Sequence, residues 1–163
     1  MTHVVMAETI IVIATIIAAS FATTAIVMNL DGLVNTFRVN ERNIKDKIQT
    51  QITIVFATIN TNDTVKVWIK NTGIKEIHED LIPKSDLFFG PKGNFKRIPY
   101  ETSTASPPRW NYTIVNDVDG DGNWDPGETI EVTIIWDTAL DLGEYYVKFV
   151  LYNGVDDDYT FSI

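Results

Sequence analysis

The apolar residues of this chain follow two different periods, and each period predicts a different element. From Thr9 to Leu30 the run TIIVIATIIAASFATTAIVMNL holds no charged residue. As a helix it is long enough to cross the roughly 30 Å hydrocarbon core of a bilayer. A cleaved secretory signal is the competing reading, but the apolar region is long, no Lys or Arg precedes it, and turn-rich sequence does not follow at once. Beyond Leu30, the residues Leu33, Val34, Phe37, Ile44 and Ile48 recur at mostly helical spacing among Arg38, Glu41, Arg42, Lys45 and Asp46. One long helix is therefore expected over residues 1–50, half suited to lipid and half amphipathic. Gly32, beside Asp31, is the expected bend, because glycine weakens a helix interior by about 1 kcal/mol relative to alanine.

From about Gln51 the period changes to two. TVKVWIK puts Val65, Val67 and Ile69 on one face; TIEVTIIW does the same with Ile130, Val132, Ile134 and Trp136; YYVKFVLY does so with Tyr145, Val147, Phe149 and Leu151. Turn signals separate the runs at Asn62-Asp63, Asn71-Thr72-Gly73, Gly90 to Gly93, Pro107-Pro108 and Asn153-Gly154. Ser103 to Ser106 reads as a surface loop. The expected fold is α+β: an N-terminal transmembrane-plus-amphipathic helix over 1–50, then an antiparallel β-sandwich of immunoglobulin-like type over 51–163.

Charge narrows the partners. The formal net charge is -9, and no Lys/Arg stripe interleaved with aromatics occurs, which excludes nucleic acid. There is no cysteine, so disulfides and Cys-based zinc or redox sites are excluded, and His3 and His78 are the only imidazoles. The acidity is concentrated in DVDGDGNWDPGE, where Asp117, Asp119, Asp121, Asn123 and Asp125 fall at alternate positions, with Gly122 sixth and Glu128 twelfth. This fits the calcium-loop pattern D-x-[DN]-x-[DN]-G-x5-E. Calcium takes six to eight oxygens, and alternating side chains converge on one ion only if the backbone turns sharply at the glycine. Glu128 is then expected to close the shell bidentately. The flanks NYTIV and TIEVTII read as strands, so the loop is expected at a hairpin tip rather than between helices. An acidic, solvated turn is the bland alternative; against it stand six matched positions and the mutual repulsion of unneutralised carboxylates. A structural rather than catalytic calcium is expected.

Other chemistry is sparse. No G-x-S-x-G, Walker or H-E-x-x-H motif is present, and His78 beside Glu76, Glu79 and Asp80 reads as a surface histidine, so no enzyme activity is expected. Asn62-Asp-Thr64 and Asn111-Tyr-Thr113 are glycosylation acceptors if this part of the chain lies outside the cell. Ala14, Ala18 and Ala22 share one helix face, which either lets a second helix approach closely or reflects ordinary membrane-helix composition. Glu8 is read as an interfacial carboxylate or as a partner for a neighbouring subunit's N-terminus.

The helix AETIIVIATIIAASFATTAIV, the DVDGDGNWDPGE loop and the ending NGVDDDYTFSI together resemble the FlaG family of archaellum accessory proteins, of the type IV pilin-like group. The resemblance covers essentially the whole chain. It implies a non-enzymatic part of the archaeal motor, anchored in the cytoplasmic membrane with its sandwich outside. It further implies a stator role with a FlaF-like partner that contacts the S-layer, and self-assembly through the N-terminal helix. No basic dipeptide marks a pilin-type processing site before the span, so unprocessed anchoring is expected. The positive-inside rule pulls the other way, because Arg38, Arg42, Lys45 and Lys47 follow the span. An outside sandwich is preferred on the sequons, the resemblance and the calcium loop. The alternatives are a filament-forming archaellin or pilin and a calcium-dependent surface-adhesion module.

Overall fold

The computed structural model describes residues 2–101 and 106–163, with the side chains of residues 2–5, 31 and 43 outside the description. His3, Asp31 and most of the Ser103 to Ser106 loop fall outside the described residues or side chains. The first element is one helix, α1 (Thr2–Gln49). Its polar side chains in the apolar run are satisfied within the helix: Ser20, Thr23 and Thr24 donate to the carbonyls of Ile16, Ala19 and Ser20 at 2.8 to 2.9 Å. Asn29 donates likewise to Ala25 at 2.9 Å. A segment in lipid needs such internal pairing, because hydrocarbon offers no partner. Gly32 lies inside the continuous helix, so the expected bend does not interrupt the element. Two compact units are present, Met1–Asn43 and Ile44–Ile163, which places the last residues of α1 with the sheets.

Eight strands follow: β1 (Ile52–Thr61), β2 (Thr64–Asn71), β3 (Asp86–Pro91), β4 (Lys96–Ile98), β5 (Arg109–Ile114), β6 (Thr129–Ile135), β7 (Glu144–Val150) and β8 (Asp156–Ser162). A 3-10 turn, Glu79–Lys84, leads into β3. The strands form two antiparallel sheets, ordered β1-β2-β6-β5 and β4-β3-β7-β8. Lettered in chain order with β4 as C′, these are the ABED and C′CFG sheets of an immunoglobulin-like sandwich. Tyr145, near the start of β7, donates its hydroxyl to the Asp141 carbonyl at 3.1 Å, the tyrosine corner of that fold.

The period-two runs face inward as expected. Val65, Val67, Ile69, Ile130, Val132, Ile134, Val147 and Phe149 are fully buried, and Tyr145 and Leu151 nearly so. Trp110 of β5 meets Phe149 of β7 edge-on at 5.5 Å, joining the sheets across the core. Each such side chain stabilises the fold by about 1.5–3 kcal/mol through burial. Trp136 follows the inward face only in part: it lies past the end of β6, half-buried, edge-on to Phe89 with Lys96 Nζ over its ring. Gly90, expected in a turn, sits within β3, and the turn itself falls at Lys92-Gly93. Two of the edge strands, β1 and β5, carry additional hydrogen bonds. The Ile54 amide of β1 donates to Asp157 Oδ2 at 2.7 Å, and Pro99 and Glu101 bond the Trp110 backbone at the β5 edge.

Candidate functional site

Because β5 and β6 pair antiparallel, with Ile114 opposite Ile130, the stretch from Asp117 to Glu128 caps a hairpin, as its flanks predict. Within it, Asp117, Asp119 and Asp121 bring carboxylate oxygens within 4.8 Å of one another. Two oxygens on one calcium ion, each at about 2.3–2.6 Å, are at most about 5 Å apart, so the trio fits such an ion. The backbone preorganises it. Gly122 has φ +79°, a left-handed conformation that suits glycine, and lets the chain reverse at the sixth position. The Gly120 and Gly122 amides donate to Asp117 at 2.8 and 3.2 Å, and Asn123 donates from its amide and from Nδ2 to Asp121 at 2.8 Å each.

Asp125 and Glu128 fall outside that carboxylate trio, whereas Asn123 is bonded to its Asp121. The Asn123 carbonyl oxygen Oδ1 accepts from the Glu79 amide at 3.1 Å. Glu128 is buried, and its two oxygens accept from the Val118 and Asp125 amides at 3.0 and 3.1 Å, which ties the arms of the loop together. The Asp125 carboxyl is pushed above the ordinary range, first by desolvation and then by the charges of Asp119, Asp121, Glu128 and Glu76. That repulsion is what a bound cation relieves.

Several participants were not anticipated. Glu79 Oε2 lies 3.2 Å from where a side chain on Gly122 would begin, and Glu76 adds to the field at Asp125, so a second acidic segment borders the loop. Their signal is the EIHED run around His78, legible as acidic but not as a neighbour of the loop. Trp124, eighth in the loop, is fully buried. Its indole N–H donates to the Glu128 carbonyl at 3.0 Å, and its backbone exchanges two hydrogen bonds with Ile77 at 2.9 and 3.1 Å. Asn71, also fully buried, donates from Nδ2 to the carbonyls of Trp124 and Lys75 at 2.9 and 3.0 Å, and its backbone pairs with Gly127 and Glu128. The loop is thereby fixed to the segment from Asn71 to Ile77.

The same segment holds the end of α1. Helix termini leave carbonyls without intrahelical partners. Here Gln49 O accepts from the Ile74 and Lys75 amides at 2.9 and 3.2 Å, and Gln51 O accepts from Thr72 and Gly73 at 2.8 and 2.9 Å. Gly73 has no room for a side chain: a Cβ would lie 2.5 Å from Gln49 O and 2.6 Å from Gln51 N. Asp46, in the last turn, forms an ion pair with Lys75 and accepts hydrogen bonds from Tyr152 Oη at 3.2 Å and Asn153 Nδ2 at 3.0 Å. Desolvation alone would raise the Asp46 carboxyl, but the bonds from Lys75, Asn153 and Tyr152 and the Lys75 charge together hold it below the ordinary carboxylate value. The Lys75 ammonium is raised in turn, chiefly by its bond to Asp46.

The remaining candidates are peripheral. His78 is exposed, capping the 3-10 turn by accepting at Nδ1 from the Asp80 amide at 3.4 Å. Asn62 is exposed in the β1–β2 turn, whereas Asn111 lies on β5 and donates Nδ2 to Glu101 at 2.6 Å. Glu8, Ala14, Ala18 and Ala22 are exposed on α1.

The model of the archaeal-type flagellin family matches residues 2–161. An uncharacterized protein of Archaeoglobus fulgidus is 33% identical over 99% of both chains. Among solved structures, the archaellum periplasmic stator protein FlaG from Sulfolobus acidocaldarius is similar at 26% identity and TM-score 0.59, over 69% of this chain and 99% of that one. The stator complex of FlaF and FlaG from the same organism is similar at 26% identity and TM-score 0.57, over 69% of this chain and 89% of the matched one. The solved relatives are archaellum proteins, structural rather than enzymatic, and they share the fold over the 69% of this chain that they match. With nearly its whole length matched, the chain belongs to the archaeal-type flagellin family.

Proposed function

We propose that this chain is a membrane-anchored, non-enzymatic component of the archaellum stator, joined through its sandwich to a FlaF-like partner and through it to the S-layer. One observation carries the reading: a sandwich similar to almost all of a stator FlaG follows a helix long and apolar enough, by length and composition, to cross a membrane. In this reading α1 crosses the cytoplasmic membrane once and associates with other copies, and the sandwich lies in the cell envelope. The relative's periplasmic placement supports the outside position against the basic residues that follow the span. Affinity purification from native membranes, with the co-purifying proteins identified, tests the partner: a FlaF-like protein is expected, and its absence refutes the pairing. Protease added to intact cells stripped of their S-layer tests the topology, since an outside sandwich is digested and a cytoplasmic one is spared.

The loop completes the proposal with a structural calcium ion held by Asp117, Asp119 and Asp121, with Asn123, Asp125 and Glu128 from the same motif. The gathered trio and the crowding felt by Asp125 support it. A filament subunit is the second reading, favoured by the family model itself. Sequencing the N-terminus of the mature protein separates the two, because a filament subunit is expected to be processed and an anchor is not.

A further inference from the structure

Strand β1 breaks its own alternation, and the break moves an aromatic ring from the core to the surface. Ile52 and Ile54 are buried, so a regular strand would point Phe56 inward as well. A bulge between Ile54 and Phe56 resets the register: Ala57 takes the inward position, while Phe56, 50% exposed, pairs with Trp68 on the outer face of the first sheet. The two rings stack at 5.8 Å, with Val55 exposed beside them. Bulges re-aim side chains in this way, and solvent-facing aromatic pairs are typical anchors of protein interfaces.

We infer that the Val55–Phe56–Trp68 patch on the outer face of β1 and β2 is the docking surface for the FlaF-like partner. The inference rests on the partner reading above and adds where on the molecule it is realised. Two observations favour that occupant. A chain similar to 69% of this one, at 26% identity, occurs in a solved complex of FlaF and FlaG. The charge around the patch is also unlike the rest of the chain. In a protein of net charge -9, the outward positions of β2 and β6 carry Lys66, Lys70 and a single carboxylate, Glu131, and that carboxylate is tied to Lys66 at 2.6 Å. An exposed Lys70 beside an aromatic centre suits a partner with an apolar knob and an acidic rim. A second outward aromatic pair, Phe95 with Tyr146 at 4.7 Å, lies at the second sheet, where Arg97 and Lys148 are already paired with Asp86 and Asp156 and Asp158 adds a negative charge near Tyr146.

The test uses tagged full-length chain co-expressed with the FlaF-like protein of the same organism and extracted in detergent. The wild-type chain is expected to capture the partner, while Phe56→Ser and Trp68→Ala each lower capture about tenfold or more. Phe95→Ser should leave it unchanged, and thermal melts should show all three variants folded. If the wild-type chain captures nothing, the stator pairing fails and the inference goes with it. If the wild-type binds and the folded Phe56 and Trp68 variants bind equally well, the pairing stands and this surface is refuted. Loss of capture only in Phe95→Ser assigns the partner to the second sheet instead. Loss of self-association with capture intact assigns the patch to a second copy of the chain.

Discussion

Ile13 and Ile134 are the same side chain in opposite circumstances: Ile13 on α1 is 52% exposed, and Ile134 on β6 is fully buried. The contrast holds across both regions. Ile10, Val12, Ile16, Phe21 and Val27 are all more than two-fifths exposed, whereas Val65, Ile69, Val132 and Phe149 have no accessible surface. The sandwich supplies its own apolar environment. The described apolar side chains of α1 are exposed in the single chain, and the proposed membrane anchor would hide them in lipid or against other helices. Within the sandwich's own unit, Asp46, Gln49 and Gly73 tie the last turn of α1 to the sheets through backbone and side-chain hydrogen bonds.

Core truncation breaks the comparison most severely. Phe149→Ala should destabilise the sandwich by about 3–5 kcal/mol, while Ile13→Ala should leave its melting transition within about 0.5 kcal/mol, read by thermal denaturation in detergent. Equal effects would mean that the helix and the sandwich melt as one unit. Next in size is the loop. Calcium at a hundred times its dissociation constant should stabilise the sandwich by about 2.7 kcal/mol through binding to the native state alone, with magnesium much weaker. Asp119→Ala should abolish the response. Calorimetry without binding at millimolar calcium would remove the metal from the proposal.

Where the last turn of α1 is tied to the sheets, Gly73→Ala forces the Gln49 and Gln51 backbone apart and should cost about 1–3 kcal/mol, with faster amide exchange at residues 72–75. Asp46→Ala should cost less, about 1–2 kcal/mol, because the partly exposed Lys75 is screened by solvent. Its pH dependence has a definite sign. The folded carboxyl titrates below its ordinary value, so its contribution is complete above that value and disappears as acid carries the pH down through the lowered one. Melting curves of wild-type and Asp46→Ala should therefore converge in acid and separate toward neutrality.

The sequence was legible where one period held. Val65 to Ile69, Ile130 to Ile134 and Tyr145 to Phe149 alternate without interruption, and all three became central strands. The uncharged Thr9 to Leu30 run likewise lies within a single helix. Strands β1, β3, β4 and β8 were not set out individually, each for a physical reason. The β1 bulge scrambles its alternation, and β4 has only three residues. In β3, Leu87 and Phe89 face inward, but Phe88 between them is apolar too, so the period is blurred. Strand β8 begins with three aspartates, a composition disfavoured in strands, and is held at the sheet edge by pairing with β7. In the loop, the Asp117, Asp119 and Asp121 trio and the Gly122 turn could be read from spacing alone. The contributions of Asn71, Glu79 and Ile77 could not, because they arise from a segment some forty or more residues away that only the tertiary fold brings near.

Swimming and filament assembly in native cells lacking this chain test the stator assignment most directly. Electron microscopy should show assembled archaella on cells that do not swim in tracking assays, with motility restored by the wild-type chain. Normal swimming would contradict a motor role, and loss of the filaments themselves would make this chain a filament subunit instead of a stator component.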